Sequence, residues 1–234
     1  MVIPAHFEED SIASTLSALH QSVREPYRAL VVYDVDDDPT VGVVRQGASS
    51  WPEAELLKNN KRGVLGALKA GFAATDSEYV VVFMADLSDD PELINTMVAK
   101  ADEGYDVVSA SRYMPGGTKE GGPRLKTFLS RTAGRSLHYL TRIPTHDATN
   151  AFRLYRTEFL RSVEMESRGG FELTMELTVK AYLRGRPVAE VPASWRDRTA
   201  GTSKFNFRKW LPHYIRWYVY TVQRAPLGRR ISAR

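Results

Sequence analysis

The chain has 234 residues, of which 43% are hydrophobic and 26% charged, with a net charge of +4 and no cysteine. This composition excludes wholesale disorder, disulfide bonds and thiolate metal sites, and the modest charge gives no reason to expect a nucleic-acid partner. No stretch reaches the roughly 18 uncharged apolar residues of a membrane-spanning helix. The first residues also lack the pattern of a signal peptide, so we expect a cytoplasmic protein.

Short β-rich segments alternate with helical patterns through the first half of the chain. In order, the pattern predicts a strand at MVIP, a helix over 12–23, a strand at 29–33, a helix over 64–72, a strand at 79–85, a helix over 93–101 and a strand at 105–111. The strands are almost continuously apolar, as in a parallel sheet covered by helices on both faces. The first 111 residues therefore predict a doubly wound nucleotide-binding unit.

The second half is less regular. Glycine and proline at 114–124 predict a mobile loop. The elements predicted after it are a helix over 125–140, a strand at 151–155, a helix over 172–184 and a strand at 187–195.

Acidic side chains follow three of the predicted strands, in the segments 4–9, 33–40 and 80–92. Ligands of open α/β sheets bind outside the carboxyl ends of the strands, so these acids are expected at one rim. Carboxylates gathered there would repel one another unless a cation or ligand donors lay among them. Asp86 directly follows a strand, which favours binding of magnesium or manganese together with a diphosphate.

Neighbouring acids have simpler interpretations. Asp90, Pro91 and Glu92 have the composition of a helix start, whereas the role of Asp89 stays open between capping and metal binding. Asp34 could accept hydrogen bonds from a base or ribose, and a turn acid is an equally good interpretation. The chain has no G-x-G-x-x-G motif after these strands and no P-loop motif, so a nucleotide must be held differently.

Eight motifs in order resemble the family 2 glycosyltransferases with a GT-A fold, most closely the dolichol-phosphate mannose synthase and polyprenyl-phosphate glycosyltransferase branch. They are VIPAHFEE, VVYDVDDDPT, the run Gly63, Ala67, Gly71, then ADLSDDPE, SRYMPGG, DATNAFRLYR, GGFELTMEL and RTAGTSK. The resemblance implies a Rossmann-like, mostly parallel sheet with helices on both faces. It also implies a catalytic domain at 1–204, with a nucleotide-sugar half at 1–111 and an acceptor half at 112–204.

The same resemblance implies inverting transfer of a hexose from a nucleotide diphosphate sugar, such as GDP-mannose or a UDP-sugar, with Mg²⁺ or Mn²⁺. The residues implied to hold the donor nucleoside are Pro4, Ala5, Glu8 and Asp34, and Gly63 is a further implied substrate-binding residue. Asp86 is the implied metal ligand, with Ser88 at a second metal position and Asp89 as a helper. The residues implied around the donor and acceptor phosphates are Arg112, Lys126, Ser130, Arg131, Arg198 and Lys204.

Two positions depart from the family pattern. Met84 stands where the family usually has the first acid of Asp-x-Asp, and Tyr33 stands where it usually has the first of two paired aspartates. One metal-binding carboxylate of the family pattern is therefore missing. Either Asp89 takes its place, or the ion is held mainly by the diphosphate.

The acceptor decides whether a base is needed. A lipid phosphate, whose second pKa is near 6, offers an anionic oxygen at neutral pH without one. A sugar hydroxyl needs a carboxylate base, and Asp147 and Glu172 are the candidates either for that role or for orienting an arginine. The loop RTAGTSK, with Arg198, Ser203 and Lys204, suits a lid over phosphates.

The segment 205–234 is predicted to form an amphipathic helix with a basic tail. One broad face of this helix carries Tyr214, Ile215, Trp217, Tyr218, Val219 and Val222. Such a face suits a membrane interface, with packing on the domain's own core as the alternative. We therefore expect a peripheral protein at the inner face of the membrane that uses a polyprenyl phosphate, with a membrane-protein partner or homo-oligomer left open. The alternatives are transfer to a hydroxyl in polysaccharide or glycolipid synthesis, a non-catalytic nucleotide-sugar-binding module and a nucleotidyltransferase.

Overall fold

The structure is a computed structural model that describes residues 1–197 and 207–225, with backbone alone for 207–209. The strands among these residues are β1 Val2–Pro4, β2 Ala29–Tyr33, β3 Ala54–Lys58, β4 Tyr79–Val82, β5 Val107–Ser111, β6 Thr118–Glu120, β7 Arg153–Arg156, β8 Val188–Pro192 and β9 Ser194–Arg196. The helices are α1 Ile12–Ser22, α2 Pro39–Gln46, α3 Gly63–Ala73, α4 Leu93–Asp102, α5 Arg124–Thr141, α6 Thr157–Ser162, α7 Glu172–Leu183 and α8 Phe207–Arg224.

Seven strands form the central sheet in the order β3-β2-β1-β4-β7-β5-β8. All neighbouring pairs are parallel except those of β7, which runs antiparallel to β4 and β5. Side chains alternate between the two faces of a strand, and Ile3 packs with α1 and α4 whereas Val2 packs with α3 and α7. The predicted mostly parallel sheet with helices on both faces is confirmed.

Small residues let α3 lie close to the sheet. A Cβ atom added to Gly71 would lie 2.4 Å from the Val2 Cγ1 atom, and Ala67, one turn earlier, is also buried. Close packing on β1 therefore explains Gly71 and Ala67 of the glycine-alanine-glycine run.

Several predicted boundaries were wrong. The prediction omitted α2, β3 and α6, and the segment 114–124 is not only a loop, because it contains β6. The single strand predicted over 187–195 is two strands in different sheets, since β8 pairs with β5 and β9 pairs with β6. Ala193 lies at the change of sheet, where its N–H donates to Ser111 and its carbonyl accepts from Thr118, both at 2.9 Å.

Helix α8 packs on the domain against α5 and α7. Trp217 is 1% exposed, and its ring N–H donates to Ser167 Oγ at 3.0 Å. Gly170 is required opposite this helix because an added Cβ would lie 2.1 Å from the Trp210 ring. The core-packing alternative is therefore correct for the face of α8 that carries Trp217. None of the described helices is long and apolar enough to cross a membrane.

Candidate functional site

A cavity of about 750 Å³ lies at the carboxyl ends of β1, β2 and β4, which are adjacent parallel strands. The structure thus brings the three acidic segments together at one rim, as predicted from the sequence. The predicted residues that line the cavity are Pro4, Ala5, Glu8, Asp34, Gly63, Asp86, Ser88, Asp89, Arg112, Lys126 and Ser130. Asp147, Glu172 and Arg131 do not line it, and Arg198, Ser203 and Lys204 lie outside the described residues.

Asp34 holds the loop that leads into α3. One carboxylate oxygen accepts from the Asn59 amide at 2.7 Å, and the other accepts from the Gly63 N–H at 2.7 Å. Gly63 has a φ of 77°, a conformation that favours glycine. A carboxylate keeps further lone pairs, so Asp34 can still accept a hydrogen bond from a ligand in the cavity.

A second acid from the same segment ties the first two strand ends together. Asp38 caps α2 by accepting from the Thr40 N–H at 2.9 Å, and its other oxygen accepts from the Phe7 N–H at 2.9 Å. The Glu8 N–H donates in turn to Thr40 Oγ1 at 2.9 Å. The acids after β2 therefore divide between building the rim and facing the cavity.

The loop after β4 holds the remaining carboxylates. Asp86 accepts from the Ser88 N–H at 3.2 Å, while Asp90 accepts from the Glu92 N–H at 3.0 Å and so supports the turn before α4. Asp89 is 3% exposed, and neither of its carboxylate oxygens makes a hydrogen bond of ordinary geometry with the described residues.

The environment of Asp89 shifts its ionisation strongly. Burial raises the pKa of Asp89 to about 7, and the charge of Asp86 adds to the rise. Arg112 opposes the shift, and the Asn150 amide is near enough to favour the charged form as well. A nearby cation would stabilise the charged form of this buried carboxylate.

The oxygen atoms of this loop fit a divalent cation only if further ligands complete its coordination. Asp86 and Asp89 offer carboxylates and Ser88 a hydroxyl, which are the hard oxygen ligands that Mg²⁺ and Mn²⁺ prefer. No group of three His, Cys, Asp or Glu side chains that could hold a metal ion occurs in the part of the chain that the structure describes. Met84 packs against the apolar cluster beside α3 and supplies no oxygen. These residues therefore fit an ion whose coordination is completed by a bound diphosphate.

Arg112 is fixed in the cavity wall by Asp147. Its Nε donates to one carboxylate oxygen at 2.6 Å and a terminal nitrogen donates to the other at 3.0 Å, while Thr149 accepts a third hydrogen bond at 3.1 Å. The Asp147 side chain is fully buried. Burial acts to raise the pKa of Asp147, but the charge and hydrogen bonds of Arg112 outweigh it and hold the pKa below its usual value. Asp147 therefore orients an arginine, one of its two predicted roles.

Glu172 has internal partners as well. Its two carboxylate oxygens accept from the N–H groups of Gly169, at 2.7 Å, and of Gly170, at 2.5 Å, and the residue is fully buried. It fixes the turn that precedes α7. Neither candidate base therefore faces the cavity.

Helix α5 contributes two more of the residues that were predicted to lie around the phosphates. Lys126 and Ser130 lie four residues apart, on one face of this helix, and both line the cavity. The Ser130 hydroxyl is hydrogen-bonded to the Tyr113 hydroxyl. Arg131, the next residue, is exposed on the outer side of the helix.

Sequence reasoning missed several residues of the cavity wall, among them His6, Lys119, Trp195, Trp210 and Tyr214. Lys119 lay in the predicted loop, and no local pattern marked it. The aromatic residues of α8 were assigned to a membrane face because their periodicity is the same for a face that packs on protein.

One side of the cavity is apolar and opens between α5 and α8. Leu129 and Leu211 line the cavity and are 36% and 37% exposed. They continue into exposed residues at helical spacing, which we call the α5–α8 apolar surface: Leu125, Phe128, Leu129, Tyr139 and Leu140 on α5, and Leu211, Ile215, Val219 and Val222 on α8. Apolar side chains therefore border the cavity where α5 and α8 meet.

Comparison with known proteins identifies the family of the chain. The profile of the family Glycosyl transferase family 2 matches residues 1–163. A polyprenol monophosphomannose synthase of Mycolicibacterium smegmatis is 29% identical over 213 residues, which cover 88% of this chain and 80% of that protein. A dolichol-phosphate mannosyltransferase of Pyrococcus furiosus is 27% identical over 229 residues, which cover 96% of this chain and 63% of that protein.

Solved structures show the same fold. Glucosyl-3-phosphoglycerate synthase from Mycobacterium tuberculosis, in complex with Mn²⁺, uridine diphosphate and glucosyl-3-phosphoglycerate, superposes with a TM-score of 0.67 at 18% identity. The match covers 97% of this chain and 80% of that chain. At this identity the likeness concerns the GT-A fold alone. With the family profile matching more than half of its length, the chain belongs to glycosyltransferase family 2.

Proposed function

We propose that the protein transfers a hexose from a nucleotide diphosphate sugar, GDP-mannose or a UDP-sugar, to a polyprenyl or dolichyl phosphate at the membrane surface. The observation that carries the proposal is one cavity lined by carboxylates at the sheet edge, by cations and by apolar side chains of α5 and α8. The names of both relatives, a polyprenol monophosphomannose synthase and a dolichol-phosphate mannosyltransferase, support a lipid phosphate.

The carboxylate end suits the donor. Asp86, Ser88 and Asp89 are the residues that would hold Mg²⁺ or Mn²⁺, and the ion, when bound, supplies positive charge beside the diphosphate. Asp34 and Glu8 line the neighbouring part of the cavity, where a nucleoside has hydrogen-bond acceptors within reach.

The reaction exchanges one bond of the anomeric carbon for another. The bond to the diphosphate oxygen breaks and its electron pair leaves with the nucleoside diphosphate. An anionic oxygen of the acceptor phosphate forms the new bond from the opposite face, which inverts the anomeric centre. Because the acceptor oxygen is already deprotonated near neutral pH, no protein base is required.

The surroundings of the candidate bases favour this acceptor over a hydroxyl. Asp147 is engaged by Arg112, and Glu172 by two backbone N–H groups, so neither is available to take a proton in the cavity. Arg112 and Lys126 instead offer positive charge to phosphate groups, and Ser130 offers a hydroxyl.

The α5–α8 apolar surface is the proposed membrane contact, at the inner face of the membrane. An exposed patch of this kind on a protein with a lipid substrate suits the boundary between headgroups and acyl chains. A polyprenyl chain would leave the cavity past Leu129 and Leu211, which line it and are partly exposed. The protein would then bind the membrane as a peripheral protein.

The direct test is release of nucleoside diphosphate. The protein is incubated with Mn²⁺ and a panel of nucleotide sugars, with and without a polyprenyl phosphate. We expect release that depends on the lipid, with the sugar recovered on the lipid phosphate. Release at the same rate without lipid would contradict the proposed acceptor, and no release with any donor would favour a binding module.

Asp86→Ala tests the metal end of the cavity. We expect lipid-dependent activity to fall at least about a hundredfold, since removing a transition-state electrostatic contact costs that much. Asp76→Ala is the matched control, because Asp76 is exposed and pairs with Arg28 away from the cavity. An Asp86→Ala variant as active as the control would refute the metal role.

A further inference from the structure

Lys119 is a cation of the cavity wall that lies outside all the phosphate-binding motifs. It is on β6, and its ammonium group donates to Thr127 Oγ1 of α5 at 2.9 Å. The same nitrogen lies 4.8 Å from the centre of the Trp195 ring on β9, within cation–π distance. Lys119 is therefore held between two elements of the wall, while it also lines the cavity.

The electrostatic surroundings of Lys119 favour an anion. Burial lowers its pKa, and the positive charges of Arg112 and Lys126 lower it further, against the opposing effect of Asp147 and Asp197. Keeping the Lys119 ammonium group charged in these surroundings costs free energy. An anion beside it would offset that cost. Lysine, as a compact point charge with three donors, suits a phosphate oxygen.

The position of Lys119 points to the acceptor side of the reaction. Thr127 is on α5, the helix that also supplies Lys126, Ser130 and the apolar opening at Leu129. The donor nucleoside end is built instead from the ends of β1 and β2, to which Lys119 makes no described contact. An anion at Lys119 would thus enter with the apolar chain rather than with the nucleoside.

Trp195 connects this wall to the loop after β4, which carries Ser88 and Asp89. It forms a backbone bridge with Asp89, and the next residue donates its N–H to the Ser88 carbonyl at 2.9 Å. An acceptor group bound at Lys119 therefore lies next to the carboxylate end of the cavity. This is the arrangement that transfer between two bound phosphate compounds requires.

We propose that Lys119 binds the phosphate of the lipid acceptor and that Trp195 and Thr127 hold its ammonium group in position. The inference rests on the proposed function, because a hydroxyl acceptor would bring no anion to this wall. It adds a specificity-determining residue that distinguishes a lipid phosphate from the corresponding alcohol.

The test compares binding of geranylgeranyl phosphate and of geranylgeraniol to the full chain by titration calorimetry. We expect Lys119→Met to weaken binding of the phosphate by about tenfold and to leave the alcohol unchanged, as loss of a charged hydrogen bond implies. Lys119→Arg should restore part of the preference because it keeps the charge. Lys100→Met is the matched control, since Lys100 lies on α4 and pairs with Glu103 directly after that helix.

The outcomes separate this inference from the proposed function. If wild type binds the phosphate no better than the alcohol, both fail. If wild type prefers the phosphate and Lys119→Met does so equally, only the role of Lys119 fails. If Lys119→Met weakens binding of the phosphate and of the alcohol equally, Lys119 has a packing role. If the variant instead binds a nucleoside diphosphate more weakly, Lys119 belongs to the donor site. Either result overturns the inference. In steady-state assays the KM for lipid phosphate should rise while the KM for the donor stays constant.

Discussion

Replacing Asp147 with asparagine removes a charge from the wall of the cavity while keeping the size of the side chain. Arg112 would lose the partner that binds it through two nitrogens, at 2.6 and 3.0 Å. The two side chains are 10% and 0% exposed, so water cannot replace the lost interaction. Breaking a buried ion pair from one side costs about 3–5 kcal/mol, and we expect about 3 kcal/mol because the asparagine oxygen still accepts one hydrogen bond.

The assay is urea unfolding of wild type and Asp147→Asn, with Asp76→Asn as the control. For a protein of this size a loss of about 3 kcal/mol also lowers the melting temperature by roughly 6–12 °C. Asp76→Asn breaks only an exposed pair with Arg28 and should leave the unfolding midpoint nearly unchanged.

The pH dependence gives the prediction a second, independent readout. The pKa of Asp147 is lowered in the folded protein, so its contribution is complete above the ordinary value of 3.8 and is lost as the pH falls through the lower folded pKa. The difference between wild type and Asp147→Asn should stay constant from about pH 5 to 8 and shrink below about pH 4. A difference under about 1 kcal/mol at pH 7, or one that grows on acidification, would refute the ion-pair reasoning.

Two further predictions concern packing and the membrane surface. Gly71→Ala should destabilise the protein by about 1–3 kcal/mol, because the new methyl group would meet Val2. Gly42→Ala, on α2 with no atom within 4 Å of the added carbon, should be neutral or stabilising in the same urea assay. The double change Ile215→Glu with Val219→Glu should abolish co-sedimentation with anionic liposomes without changing the unfolding midpoint, since both side chains are exposed. Unchanged co-sedimentation would contradict a membrane role for the α5–α8 apolar surface.

The point substitutions on α8 replace a simpler experiment that the sequence suggests. Deleting residues 205–234 would remove the whole amphipathic segment, but it would also take Trp217 out of the core. A loss of liposome binding would then report unfolding as readily as a lost membrane contact.

Strands buried on both faces were readily predicted because they are continuously apolar. This held for β1, β2 and β4, whose neighbouring ends form the acidic rim. The sequence AELLK of β3 is interrupted by charged residues, as suits an edge strand, and its pattern was too weak to predict a strand. The antiparallel direction of β7 was also not predicted, since strand composition does not encode direction.

The amino-acid sequence by itself determined the alternation of strands and helices, the acids at the strand ends and the family motifs, because these depend on local patterns along the chain. Only the tertiary structure decided which partners the individual polar side chains have. Asp147 became a partner of Arg112, Glu172 a partner of backbone N–H groups, and Lys119 a member of the cavity wall. The reason is physical: charge pairing, burial and cavity lining depend on distances between residues that lie far apart in sequence.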